Sequence, residues 1–161
     1  MDFRITGVSP ELFAPLVGLD DLELMRRLAR RVIVDQRHGF PDRIELREAV
    51  PGEAVLLINY LHQPAATPYR SCHAIYVLEG ARQRYDRINE VPALFRSRVM
   101  SVRAFDHDDM MIDADITPGT AVEGLIERLL ADPRTAYLHA HYAKYGCFAA
   151  HVERVPPGAH A

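Results

Sequence analysis

Residues 135–153, TAYLHAHYAKYGCFAAHVE, constrain this chain more than any other stretch, because they alternate like a strand, turn at a glycine and alternate again. Successive side chains of a strand point to opposite faces. In the first arm Leu138, Ala140 and Tyr142 therefore share one face, and Tyr137, His139 and His141 share the other. In the second arm Phe148, Ala150 and Val152 lie opposite Cys147, Ala149, His151 and Glu153. The loop at 143–146 ends in Gly146, which suits a hairpin that needs one residue at positive φ. If the two apolar faces coincide, the register gathers His139, His141 and Cys147 on one surface, and a one-residue slip scatters them.

Two histidines at i and i+2 on a strand can both ligate one metal ion, and imidazole suits zinc, copper, iron or nickel. Cys147 or His73 could supply a further ligand. No HExxH and no paired CxxC accompanies them. A metal-free ligand pocket and ordinary strand histidines with ordinary hydrogen bonds stand beside that reading. Residues 99–105, VMSVRAF, read as a strand in which Ser101 and Arg103 share a face. An arginine in mid-strand needs a partner if it is buried. That partner is either a protein carboxylate or an anionic ligand.

The chain has 161 residues, 48% of them hydrophobic and 25% charged, enough for one domain over 1–154 with a real core. Residues 155–161 are expected to form a disordered tail. The net charge of −3 argues against a general nucleic-acid surface. Of 19 basic residues only Lys144 is a lysine. The first residues, MDFRITGV, lack the charged and apolar regions of a signal peptide. The longest apolar run, 54–58, is too short to span a membrane. Cys72 and Cys147 stand far apart. A cytoplasmic protein with reduced thiols and no membrane partner follows.

Along the chain, residues 3–5 read as a strand and Ser9-Pro10-Glu11 as a helix start that buries Leu12, Phe13 and Leu16. Asp20 with Glu23 resembles a capping box, opening a helix to about Arg31 with Leu24, Met25 and Leu28 inward. Strands follow at 32–34, 43–46, 54–61 and 72–79, the third apolar on both faces like a central strand. Residues 62–69 read as a rigid loop. In the fourth strand His73 shares a face with Ile75 and Val77, a core position more often than a ligand. Val91-Pro92 opens a short helix, and residues 110–116 alternate as a half-buried strand. His107-Asp108-Asp109 reads as a solvated turn, with metal binding the lesser alternative. Thr117-Pro118 starts a helix to 131 whose stripe is Val122, Leu125, Ile126, Leu129 and Leu130. The expected fold is α+β: a predominantly antiparallel, twisted sheet of six or seven strands covered by a few helices, with a partly closed barrel as the alternative.

The segments PYRSCHAIYV, RVMSVRAFD and HAHYAKYGCFAA, with FRITGVSPELFAPL and PGEAVLLINY before them, resemble the bacterial family catalogued as domain of unknown function 1203. The resemblance implies a small stand-alone bacterial protein and assigns no activity, cofactor or functional residue. It also leads one to expect cysteine in many relatives where this chain has Asp42, and asparagine where it has Tyr142.

Three functions compete. The first is a small anionic-ligand protein or enzyme with a pocket of His73, Ser101, Arg103, His139, His141 and Cys147. There Arg103 binds the anion, a histidine serves as acid or base, and Cys147 is available as a nucleophile. The second is a metal-binding protein using His139 and His141. The third is an interaction module or homo-oligomer, in which Arg103 pairs with Asp113 or Asp115. The first leads, and it requires His73, Arg103, His141 and Cys147 to line one cavity. No reaction and no cofactor can be read from these residues.

Overall fold

A computed structural model describes residues 1–156. The tail expected over 155–161 therefore lies mostly outside the described residues. Among the described residues nine strands and three α-helices build an α+β fold in which all strand pairs are antiparallel. The strands are β1 (Phe3–Thr6), β2 (Ala29–Ile33), β3 (Ala54–Gln63), β4 (Ser71–Leu78), β5 (Asp86–Ile88), β6 (Val99–Phe105), β7 (Met111–Pro118), β8 (Tyr137–Tyr142) and β9 (Cys147–Arg154). The helices are α1 (Asp21–Arg26), α2 (Ala93–Arg96) and α3 (Val122–Ala131).

The strands divide into two sheets rather than one. Six of them run in the order β5-β1-β9-β8-β6-β7, and three in the order β2-β3-β4. Neither order closes on itself, so the barrel alternative does not hold. Helix α3 covers one face of the larger sheet, packing on β6, β7, β8 and β9. The smaller sheet lies over the other face, where the Tyr60 ring meets Phe148 at 5.8 Å between centroids. One cluster of buried side chains draws on both sheets and on α3.

Helix α3 carries the stripe read from its sequence, and all five residues are buried. Arg154 of β9 closes its C-terminal end by donating to the carbonyls of Leu130, Asp132 and Thr135. The cation thus sits at the negative end of the helix dipole and satisfies orphan carbonyls.

The helix expected to run to Arg31 ends at Arg26. Its capping box is present, but Met25 and Leu28 are exposed and Leu28 adopts a positive φ of 55°. The β-branched residues beyond it pair with β3 as strand β2. Arg31 on that strand binds Glu79 at 2.7 Å, so this part of the basic run is neutralised by protein acids. The expected helix at 9–18 is two short 3-10 turns, Pro10–Leu12 and Ala14–Leu16, with Leu12 exposed. Pro15 within it removes a helical donor and clashes with the preceding turn. Residues 43–46 form no strand but a bend around the buried Asp42, whose carboxylate accepts from the backbone N–H groups of Ile44, Glu45 and Leu78. Strand β3 runs two residues past its expected end and takes His62 into the sheet.

Gly119, just before α3, is fixed by close approach: a Cβ there would stand 1.8 Å from the Phe95 carbonyl oxygen. Gly124, inside α3, meets nothing within 4 Å. In urea unfolding, Gly119→Ala should therefore lose about 2 kcal/mol or more through overpacking. Gly124→Ala should gain roughly 0.5–1 kcal/mol from helix propensity. Equal effects of the two would contradict this packing.

Candidate functional site

The site forms where the smaller sheet lies on the β8–β9 hairpin. On β8, His139 and His141 point toward the smaller sheet, while Leu138, Ala140 and Tyr142 point toward the helical layer. Across the β6 ladder His139 stands opposite Arg103, and His141 opposite Ser101. Across the β9 ladder His139 faces His151, but the register shifts after Ala140, so His141 faces Phe148 and Tyr142 faces Cys147. Ala149 is the extra residue of this β-bulge, which reverses the parity of everything before it. Phe148 therefore joins the histidine face, and Cys147 leaves it. The surface expected to hold His139, His141 and Cys147 together is not formed.

The third member of the cluster is His62, which no strand or metal pattern in the sequence singled out. Leu56, Ile58, Tyr60 and His62 alternate along one face of β3. His62 sits in a second bulge, flanked by the pairs Leu61–Cys72 and Gln63–Ser71. The Phe148 ring lies parallel to it at 5.5 Å. The signal is the even-numbered alternation that continues past Leu61, masked in the sequence by Pro64, which reads as the opening of a loop.

One ring nitrogen from each of His62, His139 and His141 lies within 4.8 Å of those of the other two, and all three residues are buried. Among the described residues no other group of three metal-ligating side chains comes this close. His62 Nδ1, His139 Nδ1 and His141 Nε2 are buried without a hydrogen-bond partner. His141 Nδ1 lies 2.9 Å from the Gly146 carbonyl, which can only accept, so this nitrogen carries the proton. Nε2 of neutral His141 is then a bare lone pair, the arrangement by which a backbone carbonyl fixes the tautomer of a metal ligand. Leaving a buried polar atom unpaired costs about 1–3 kcal/mol, so three together call for a ligand.

Burial is the main cause that drives these imidazoles neutral. It lowers His62 to about 4, His141 to about 3 and His139 to about 2, with the Arg103 charge and the neighbouring histidines adding to the effect. Ligands to an ion at 2.0–2.1 Å in tetrahedral geometry stand about 3.4 Å apart. The rings need to close by at most about 1.4 Å to reach that spacing.

A cleft of about 480 Å³ leads to His62 and His139, with His151, Tyr137 and Asp109 also on its wall. Tyr137 Oη accepts from Gln63 Nε2 at 2.8 Å and donates to Asp109 at 2.6 Å. Burial, then that carboxylate, pushes the phenol up to about 12. The His107-Asp108-Asp109 stretch is otherwise a turn, organised by Asp106 accepting from the Asp108 and Met110 N–H groups.

The six residues anticipated from sequence thus separate. Ser101, Arg103, His139 and His141 share a face of the larger sheet. His73 and Cys147 line a different cavity of about 650 Å³, together with Arg43 and Tyr142. His73 is exposed at the end of β4, whereas Ile75 and Val77 are buried further along it. Cys147 Sγ accepts from Arg43 Nη2 at 3.0 Å. Arg43 itself is buried and also donates to the Phe148 and Pro41 carbonyls. Sequence reasoning took Arg43 for a strand residue and missed it. The cavity that His73 and Cys147 line does not include Arg103 or His141.

The depressed histidines fix the sign of a pH effect in metal-free protein. Between the ordinary value near 6.5 and about pH 4 the unfolded chain binds protons that the folded site refuses, so stability falls as the pH falls. The slope is at most roughly 1.4 kcal/mol per pH unit for each histidine. Urea unfolding in chelator should show this decline, and His139→Gln should flatten it. A wild-type profile level from pH 7 to 5 would contradict the assignment.

No curated protein and no solved structure matches the chain. A family model matches residues 39–154, a span that contains all three histidines and Arg103. The chain belongs to the family described as Protein of unknown function (DUF1203).

Proposed function

We propose that this protein binds a divalent first-row transition-metal ion through His62, His139 and His141. The observation that carries this reading is the convergence of one ring nitrogen from each of three buried histidines, each of which also carries a buried ring nitrogen without a hydrogen-bond partner. Unprotonated imidazole is the form that ligates, and at neutral pH all three rings are in that form. Nitrogen donors without a thiolate suit zinc, iron, cobalt, nickel or copper rather than magnesium or calcium. Three protein ligands leave at least one position for an exchangeable ligand, the pattern of a reactive rather than a closed structural site. A bound ion there supplies Lewis acidity toward that ligand.

This reading takes the lead over a single His/Arg/Cys pocket because Cys147 and His73 line the other cavity. Cys147 is left with a structural contact to Arg43. A pure interaction module fits less well, since Asp113 and Asp115 both bind Arg128 and leave Arg103 unneutralised. We place the protein in the bacterial cytoplasm without a nucleic-acid partner, supported by its two free cysteines and its net charge of −3. Among the described residues no helix is long and apolar enough to cross a membrane.

Elemental analysis of untagged protein tests the proposal. Wild type, as purified or after incubation with zinc and desalting, should hold about one equivalent of metal per chain. His62→Ala and the double variant His139→Ala/His141→Ala should hold under about a tenth of that while retaining the wild-type circular dichroism spectrum. Wild type without metal after zinc incubation, or a double variant that keeps its metal, would overturn it.

A further inference from the structure

Arg103 lies in the middle of β6, directly opposite His139 on the neighbouring strand. Side chains of directly opposed residues leave a sheet on the same face. The Arg103 side chain therefore leaves the sheet on the face that carries His139 and His141. It is partly buried. Among the described residues no hydrogen bond or ion pair satisfies it.

Asp109, Asp113, Asp115 and Glu153 are each otherwise engaged. Asp113 and Asp115 flank Ala114, the residue opposite Arg103 on β7. They therefore project from the other face, where they bind Arg128 at 2.9 and 3.1 Å. Asp109 holds the Tyr137 hydroxyl. Glu153 stands 3.7 Å from His151, on the far side of His139. On the Arg103 side, Ala114 and Ile116 of the edge strand β7 are exposed, so a small molecule can approach from there.

A desolvated guanidinium without a counter-ion is unfavourable. Three neutral imidazoles leave a divalent ion with its whole charge, so the ion and Arg103 together place a charge of about +3 in one partly dry site. The guanidinium fork matches a carboxylate or phosphate through two parallel N–H donors. We propose that the exchangeable ligand of this site is a small oxyanion, a carboxylate or a phosphate, with one oxygen on the metal ion and another in the fork of Arg103. This inference rests on the metal reading above. A neutral ligand leaves Arg103 unpaired, so the site discriminates by charge before it discriminates by shape.

Cobalt(II)-loaded full-length protein reads both parts separately, because its visible bands report what enters the coordination sphere. Acetate and oxalate probe the carboxylate class and inorganic phosphate the other. Wild type should bind one equivalent of cobalt, and its bands should shift saturably with oxalate or with phosphate, which identifies the class. Arg103→Gln should keep the cobalt stoichiometry and weaken that anion by roughly tenfold or more, with Arg103→Lys between the two. No cobalt uptake by wild type would overturn the metal centre and the bridge with it. Cobalt uptake with bands indifferent to all three anions would overturn the bridge alone, as would equal anion affinity in Arg103→Gln.

Discussion

Three neutral imidazoles between two sheets, each with a buried ring nitrogen that has no partner, are the constraint to which the rest of the structure answers. Burying them is unfavourable unless something else uses their lone pairs. The fold nevertheless stacks Phe148 on His62 and backs the cluster with the hairpin. A core free to choose would put leucine or valine there. The same burial that makes the empty site unfavourable keeps the rings unprotonated, and so keeps them able to bind metal at neutral pH.

Two irregularities in otherwise regular ladders bring these rings together. The bulge at Ala149 turns Phe148 toward the smaller sheet and sends Cys147 away from the histidines. The bulge at His62 interrupts β3–β4 pairing where that sheet crosses His139 and His141. Bulges re-aim single side chains without changing the fold, and here each does so at the site. The aromatic packing of Tyr60 on Phe13 and Phe148 then fixes how the smaller sheet sits on the hairpin.

Much of this was legible in the sequence. The hairpin arms, the α3 stripe and the capping box at Asp20 follow from local periodicity and capping chemistry, which tertiary contacts reinforced. The shared face of His139 and His141 follows from a period of two within one strand. Features that depend on pairing between strands were not legible. Cys147 was assigned by extending an unbroken alternation through the hairpin, and one extra residue on β9 reversed it. His62 was lost because Pro64 marked the strand as ended, though the alternation runs on to the residue before Gln63. The division into two sheets, and the early end of α1 at Arg26, turn on β2 pairing with β3 rather than on any propensity within residues 27–31.

X-ray absorption at the metal edge of protein loaded with one equivalent of zinc tests the central claim most directly. The three-histidine site predicts three imidazole nitrogens at about 2.0–2.1 Å, with the remaining shell made of oxygen. A sulfur shell near 2.3 Å would place the ion on a cysteine instead. Fewer than three imidazoles would show that His62, His139 and His141 do not hold the ion together.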